Sequence, residues 1–274
     1  MRIAMSIAGS DSSAGAGIQA DLKTFHALGV YGVTALTAVT VQNTLGVRGI
    51  QQIKPAVVKD QILCLFEDME IRAVKIGMVF SSGIVRAIHE ALQEVKRPYV
   101  VLDPVMISKS GSELLQKPAQ VDLLEHLFPM ADLVTPNLQE AEEITKLRIQ
   151  TVEDMQEAAR RIMDLGPARV VLKGGHLSGK EAVDVYDDGS RVELLRAGHV
   201  ETKNTHGTGC TFSSAIAAHL ALGLEPFPAV QKAKAYITGA IASSLSLGKG
   251  YGPVDHFHRA HSSQLIADSK RRSS

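Results

Sequence analysis

The chain has 274 residues, of which 45% are hydrophobic and 21% charged, and its 29 basic and 29 acidic side chains cancel. That balance argues against a protein that binds nucleic acid or a membrane surface. The two cysteines, Cys64 and Cys210, lack metal-ligand spacing, so no structural zinc is expected. No secretory signal or membrane-spanning run is found. We therefore expect a cytoplasmic protein with one domain, residues 1–261, and a flexible tail, residues 262–274.

The first segment predicts a buried strand at residues 2–9, followed by a glycine-rich turn and a helix. Within the turn, residues 15–20 match G-x-G-x-x-A, which is typical of dinucleotide-binding loops that also require an acidic residue about 20 positions later. The second predicted strand, residues 34–42, ends without such an acid. We therefore favour a loop that closes over a small ligand, with Asp21 and Gln42 supplying polar contacts.

The rest of the chain predicts alternating strands and helices. Strands are expected at residues 45–53, 73–78, 99–105, 131–137 and 168–175. Helices are expected at residues 55–68, 81–95 (with a serine cap), 138–143 and 151–165. Residues 183–186 and 191–195 flank a turn sequence that indicates a hairpin. This alternation predicts an α/β fold, in which a mostly parallel sheet carries helices on both faces.

Residues 203–210, with the sequence KNTHGTGC, turn through two glycines into a helix of small residues. The first turn of a helix presents unpaired amides and a positive dipole end, so this stretch predicts an anion-binding cradle. Cys210 lies in that first turn, and we expect its thiol to have a lowered pKa. The alternative is a turn whose small residues only allow close helix packing. We expect the other cysteine, Cys64, to be an inert core residue, because its helix neighbours are apolar.

Residues 174–180 nearly form a Walker A loop, but Glu181 stands where that motif has serine or threonine, and a strand follows instead of a helix. We reject this motif and look for phosphate binding in the cradle. The predicted strands place several polar groups at or near their carboxyl ends, where open α/β folds bind ligands: Asp11, Gln42, Asp103, Asn137, Glu140 and Lys173.

These groups and the cradle together predict a phosphoryl-transfer site. Two carboxylates, Asp103 and Glu140, suit hydrated Mg²⁺, which binds through few protein ligands. Lys173 suits nucleotide phosphates as a point charge. The backbone of residues 207–210 suits the charge on the transferred group.

The chain resembles the small-molecule kinases of the ribokinase superfamily, and most closely their hydroxymethylpyrimidine/phosphomethylpyrimidine kinase branch. The matching motifs follow in order along nearly the whole chain: Gly9-Ser10-Asp11, Gly15-Ala16-Gly17-Ile18-Gln19-Ala20-Asp21, Gln42-Asn43-Thr44, Lys75-Ile76-Gly77-Met78, Asp103-Pro104-Val105-Met106, Thr135-Pro136-Asn137-Leu138-Gln139-Glu140, Lys173-Gly174-Gly175-His176 and Thr205-His206-Gly207-Thr208-Gly209-Cys210. The resemblance implies a ribokinase-like kinase domain over residues 1–261, with ATP and Mg²⁺ as cofactors.

The resemblance also implies roles for individual residues. In the wider superfamily an aspartate usually occupies the Cys210 position and acts as general base, whereas this branch has cysteine. The catalytic residues implied are Cys210, Gly207, Thr208 and Gly209. Substrate binding is implied for Gly9, Asp21, Gln42 and Met78, ATP binding for Asn137, Lys173 and Thr205, and metal binding for Asp103 and Glu140.

The activity implied is phosphorylation of 4-amino-5-hydroxymethyl-2-methylpyrimidine, and then of its monophosphate to the diphosphate, in thiamin biosynthesis. The expected partners are these small molecules, without nucleic acid or membrane, and a homodimer is left open. One alternative is a vitamin B6 kinase acting on pyridoxal, pyridoxine or pyridoxamine. Another is a non-catalytic pyrimidine or nucleotide sensor. Gln42 and Met78 favour the pyrimidine.

Overall fold

The computed structural model describes residues 1–107, 111, 114–175 and 181–261. Within this part of the chain one nine-stranded sheet forms the centre of the molecule. Its strands are β1 Ile3–Ser10, β2 Tyr31–Asn43, β3 Gly46–Gln52, β4 Ile71–Ile76, β5 Tyr99–Leu102, β6 Leu133–Val134, β7 Val170–Gly174, β8 Glu181–Asp187 and β9 Val192–Gly198.

The spatial order of the strands is β3-β2-β1-β4-β5-β6-β7-β8-β9. Six neighbouring strands in this order pair in parallel, namely β2, β1, β4, β5, β6 and β7. At the edges, β3 pairs antiparallel with β2, and β8 and β9 continue from β7 in antiparallel pairs. The central strands are apolar on both sides, as expected for parallel strands covered by helices. The predicted fold class and the predicted hairpin are confirmed.

Helices cover both faces of the sheet. They are α1 Gly17–Ala27, α2 Pro55–Asp68, α3 Ser82–Glu94, α4 Lys117–Asp122, α5 Leu138–Thr145, α6 Val152–Met163, α7 Thr208–Ala221 and α8 Pro226–Ala242, and a π-helical turn, Leu123–Leu127, continues α4. One core cluster joins the sheet to α2 through α6, and a second joins it to α1, α7 and α8. Every residue of α7 from Thr211 onward is buried, because its small side chains let it pack closely against both the sheet and α8.

Some predicted boundaries were wrong, and proline explains two of them. The predicted strand at 99–105 ends at Leu102, before Pro104, and the strand at 131–137 shrinks to Leu133–Val134, before Pro136. Ser81 lies at the N-cap position of α3, yet its buried hydroxyl makes no capping hydrogen bond. The helix α8 and the segment from α4 through the π-helical turn were not predicted.

The prediction for Cys64 was also wrong, because the structure exposes this residue on the surface of α2. Two other predictions, on the loop at 176–180 and the tail at 262–274, lie outside the described residues. Over the part of the chain that the structure describes, no helix has the length and apolar character needed to cross a membrane.

Candidate active site

Two adjoining cavities lie where the carboxyl ends of the parallel strands meet the start of α7. The first encloses about 170 Å³, and its lining includes most of the predicted site residues: Gly9, Gln42, Met78, Asp103, Asn137, Glu140, Lys173, Gly207, Thr208, Gly209 and Cys210. The second encloses about 370 Å³ and shares Asn137, Lys173, Thr208 and Gly209 with the first. Thr205 lines the second cavity. The fold therefore brings together residues from seven separate stretches of the chain.

The start of α7 forms the predicted cradle between the two cavities. Gly207 is the N-cap residue with φ of +80°, and a Cβ there would lie 1.8 Å from the carbonyl oxygen of Gly15. Only glycine allows this backbone conformation and this contact without strain. The Thr208 hydroxyl donates to the Thr205 carbonyl at 2.8 Å and closes the preceding turn. Gly207, Thr208 and Gly209 line the first cavity, so the positive end of the α7 dipole lies at its wall.

Lys173 and Asp103 form an ion pair beneath this cradle. Lys173 Nζ lies 2.8 Å from Asp103 Oδ1, and a Cβ on Gly209 would lie 3.4 Å from the same Nζ. Asp103 also accepts a hydrogen bond from the Thr135 hydroxyl at 3.1 Å. Burial alone raises the pKa of Asp103, but the charges of Lys173 and Lys75 outweigh it and lower the pKa. The pair is therefore charged; Lys173 lines both cavities, and Asp103 lines the first.

Glu140 and Asn137 meet in a capping box at the start of α5. The backbone amide of Glu140 donates to the Asn137 side chain at 2.9 Å, and the Asn137 amide donates to the Glu140 carboxylate at 2.8 Å. Burial, with a further contribution from the Asp103 charge, raises the pKa of Glu140 to about 7. Within the described residues no group of three His, Cys, Asp or Glu could hold a metal. Asp103 and Glu140 both line the first cavity.

The structure contradicts the expected activation of Cys210. Burial, together with the charges of Asp21 and Asp103, raises the pKa of its thiol to about 11, although the Lys75 ammonium and the Gly17 amide act in the opposite direction. A helix start offers only about half a positive charge, which does not outweigh desolvation and two carboxylates. The prediction of a lowered pKa was wrong. Cys210 still lines the first cavity.

Asp21 does not reach either cavity, which corrects its assignment as a substrate contact. Its carboxylate is completely buried and binds Lys75 Nζ at 3.0 and 3.1 Å. The hydroxyls of Ser6 and Ser214 donate to the same carboxylate at 2.5 and 2.6 Å. Asp21 therefore ties α1 to β1, β4 and α7, and acts behind the site.

Gly9, Gln42 and Met78 line the first cavity. Sequence reasoning gave no role to His206, which also lines this cavity and contacts Asp11 at 2.7 Å. Burial raises the pKa of Asp11, yet hydrogen bonds and charge from His206 and Ser13 reverse the shift and lower the pKa to about 2. In the sequence His206 directly precedes Gly207 of the cradle, and this position is the signal that could have identified it.

Known proteins with similar sequences are kinases. The sequence profile of the family described as phosphomethylpyrimidine kinase matches residues 11–255. A hydroxymethylpyrimidine/phosphomethylpyrimidine kinase of Rhizobium meliloti is 50% identical over 94% of this chain and 97% of its own length. The thiamine biosynthesis bifunctional protein of Geobacter sulfurreducens is 50% identical over 92% of this chain, which spans only 51% of that longer protein.

Solved structures of two kinds of kinase share this fold. The phosphomethylpyrimidine kinase of Clostridium difficile 630 has a TM-score of 0.78 with 48% identity, and the alignment covers 88% of this chain and all of that one. An ADP complex of Bacillus subtilis pyridoxal kinase has a TM-score of 0.89 with 40% identity, and the alignment covers 95% of this chain and 99% of that one. On its sequence, its fold and the residues gathered around the two cavities, the chain belongs to the phosphomethylpyrimidine kinase family.

Proposed function

We propose that this protein transfers the γ-phosphoryl group of ATP to the hydroxymethyl group of 4-amino-5-hydroxymethyl-2-methylpyrimidine, and then phosphorylates the monophosphate to the diphosphate. The observation that carries the proposal is the pair of adjoining cavities that share Lys173 and the start of α7. A phosphoryl group can pass between two such cavities only at their shared boundary, where the cradle and the lysine lie. Residues 1–261 would form one cytoplasmic kinase domain that has small molecules as partners.

The smaller cavity suits the pyrimidine. Its walls include the loop after β1, the sulphur-bearing side chain of Met78 and the carboxamide of Gln42. The face of a flat ring can pack against Met78. The Gln42 carboxamide has donor and acceptor groups for a ring edge that also carries both. Cys210 lines the same cavity, where the hydroxymethyl group would lie.

The larger cavity suits the nucleotide. Phe212, Ile237 and Ile241 provide apolar lining, and Lys173, Asn137 and Thr205 provide polar groups toward the shared boundary. The structures of related pyridoxal kinases support ATP as the donor, because one was solved with ADP and another, from Staphylococcus aureus, with AMP-PCP and pyridoxal. Lys173 would neutralise phosphate charge there.

Asp103 and Glu140 would hold Mg²⁺ through water, and the bound ion would neutralise phosphate charge. The amides of Gly207, Thr208 and Gly209 would stabilise the charge on the transferred group. Such fixed donors around a largely dissociative transition state are the main source of catalysis in phosphoryl transfer.

Cys210 would accept the proton of the hydroxymethyl group in the first reaction. Because its pKa is about 11, the side chain is a neutral thiol near pH 7 and must lose its own proton before it can act. The acceptor of the second reaction is already an ionised phosphate and needs no such base. The two reactions therefore place different demands on one residue.

The test is incubation with ATP, Mg²⁺ and one of three acceptors, namely the hydroxymethylpyrimidine, pyridoxal or pyridoxine, followed by mass analysis of the products. We expect mono- and diphosphate from the pyrimidine. The high structural similarity to pyridoxal kinases makes B6 phosphorylation the second candidate, to be compared by kcat/KM. Absence of ATP consumption with every acceptor would instead favour a non-catalytic sensor.

A further inference from the structure

Gln42 lies where strand β2 extends past its parallel neighbour β1. Strand β1 ends at Ser10, which pairs with Val39, whereas β2 continues to Asn43. On the other side of β2, the register of the antiparallel pairing with β3 shifts between Val41 and Gln42. The backbone at Gln42 therefore sits in an irregular part of the sheet, and its position depends on what binds it from the side of β1.

The Ser12 hydroxyl lies on that side. It donates a hydrogen bond to the Gln42 carbonyl at 2.7 Å and accepts one from the Gln42 amide at 2.9 Å. Both groups of one strand residue point to the same side, where a neighbouring strand normally pairs with them. A hydroxyl has one donor and two acceptor sites, so a single serine can bind both. Ser12 thus takes the place of a strand neighbour for Gln42.

The loop that carries Ser12 is itself held in place. The neighbouring carboxylate, Asp11, accepts hydrogen bonds from the amide and hydroxyl of Ser13 at 2.8 and 2.7 Å and from the Ala16 amide at 2.8 Å. His206 contacts the same carboxylate at 2.7 Å and so connects the loop to the start of α7. The Ser12 hydroxyl is consequently a fixed point against which the Gln42 backbone is held.

The backbone of Gln42 matters because its side chain lines the first cavity. In a strand the direction of the side chain follows from the backbone, so a small rotation of the backbone moves the carboxamide at the cavity wall. A misplacement of about 1 Å in a group that binds the substrate is enough to weaken catalysis severely. The Ser12 side chain is exposed, and its influence on the cavity passes through Gln42.

We propose that Ser12 is a positioning residue for the acceptor substrate, because its hydroxyl holds the Gln42 backbone so that the carboxamide stays at the wall of the first cavity. The inference rests on the proposed function, in which Gln42 binds the edge of the pyrimidine ring. Ser12 need not touch the ring. Loss of its hydroxyl should weaken binding of the acceptor and leave the nucleotide cavity unchanged.

The experiment measures the Kd of 4-amino-5-hydroxymethyl-2-methylpyrimidine by calorimetry and the KM values of the pyrimidine and of ATP by steady-state kinetics. In Ser12→Ala we expect Kd and KM for the pyrimidine to rise about tenfold, as the loss of one or two hydrogen bonds implies. The KM for ATP should stay within about twofold of wild type. Ser12→Thr keeps the hydroxyl and should recover most of the lost binding.

Two comparisons separate this role from a general loss of order in the loop. Ser13→Ala is the matched control, because the Ser13 hydroxyl binds Asp11 within the loop, and it should change Kd by about twofold or less. In a Gln42→Ala background, Ser12→Ala should have little further effect, since Ser12 acts through the Gln42 side chain. A role limited to loop order predicts instead that the two losses multiply.

An unchanged Kd in Ser12→Ala overturns the proposal, as do equal losses in Ser12→Ala and Ser13→Ala or losses that multiply in the double variant. If Gln42→Ala binds too weakly for calorimetry, failure of Ser12→Thr to recover binding overturns it. A wild-type protein that neither binds nor phosphorylates the pyrimidine would refute the proposed function itself, and that result is distinct from any effect of Ser12.

Discussion

Two buried aspartate–lysine pairs lie beside α7, namely Asp21–Lys75 and Asp103–Lys173. They differ in how far solvent can reach them. In the first pair the oxygen and nitrogen are 3.0 Å apart and neither side chain is exposed. In the second they are 2.8 Å apart, and 15% of the lysine side chain remains exposed. We call them the sealed pair and the open pair.

The two pairs show that access decides what the same chemical groups can do. In the sealed pair Asp21 also accepts hydrogen bonds from Ser6 and Ser214, so the pair holds α1, β1, β4 and α7 together. In the open pair Lys173 lines both cavities and Asp103 lines the first, so Lys173 can exchange an aspartate contact for a phosphate. We therefore expect mutations in the open pair to reduce activity, and mutations in the sealed pair to reduce stability.

The largest effect is expected for Lys173→Ala. Loss of this cation should reduce kcat/KM by about a thousandfold, equivalent to about 4 kcal/mol, because it removes a fixed charge that stabilises the transferred group. The free energy of unfolding should fall by less than the about 3 kcal/mol expected for a fully buried pair, since Asp103 lines a cavity that water can enter. Steady-state kinetics and urea denaturation measure the two quantities. Lys59→Ala, at a surface lysine, is the control. Activity within tenfold of wild type would contradict the assignment.

Lys75→Met should act mainly on stability. The change leaves the Asp21 carboxylate buried without its cation, and we expect the free energy of unfolding to fall by about 3 kcal/mol. The double variant Asp21→Asn/Lys75→Met removes both charges and should recover at least half of that loss. Urea denaturation of the single and double variants measures this recovery. If the double variant is no more stable than the single one, the charge of Asp21 is not the cause.

Cys210 lies between the two pairs, and its replacement should separate the two reactions. Cys210→Ala should slow phosphorylation of the hydroxymethyl group by about a hundredfold, a typical contribution of a general base, and the second phosphorylation by much less. Rates with the hydroxymethylpyrimidine and with its monophosphate give the comparison. Equal losses in both reactions would count against the base role.

The alkylation of Cys210 can be followed beside that of the exposed Cys64 in the same sample. Because the pKa of Cys210 is raised to about 11, its alkylation rate should still increase with pH beyond 9. Peptide mass analysis after brief iodoacetamide treatment separates the two sites. A Cys210 rate that levels off below pH 8 would restore the activated thiolate predicted from the helix position alone.

Local patterns predicted the fold well, because buried strands are short apolar runs that end at glycine, proline or a polar residue. The same patterns placed Gln42, Asp103 and Lys173 correctly, since the carboxyl ends of parallel strands meet at one edge of the sheet. The boundaries near Pro104 and Pro136 were less predictable, because an apolar residue beside a proline fits a strand or a turn equally well.

The errors at Asp21, Cys64 and Cys210 have one cause, which is that burial and charge come from distant parts of the chain. Asp21 follows a glycine-rich loop and resembles a ligand residue, but its partner Lys75 lies 54 positions away. In the sequence Cys210 lies at the start of a helix, whereas the carboxylates that raise its pKa lie on other elements. Spacing along the sequence carries no information about either contact.

The smallest and most closely matched test uses two neighbouring serines of α7. Ser214 donates to Asp21 of the sealed pair at 2.6 Å, whereas Ser213 lies 3.4 Å from Asp103 of the open pair and also contacts the Gly209 carbonyl. Ser214→Ala removes a short bond to a buried charge and should lower the free energy of unfolding by about 1.5 kcal/mol, with kcat/KM unchanged.

Ser213→Ala should cost less than about 1 kcal/mol of stability, since its contact with Asp103 is long and weak. Its effect on kcat/KM should be a few-fold at most, because Lys173 and Thr135 still orient the Asp103 carboxylate. The two variants change the same atoms on adjacent residues of one helix, so any difference between them reports on the pair that each serine contacts. A larger loss of activity in Ser214→Ala than in Ser213→Ala would mean that the sealed pair also supports catalysis.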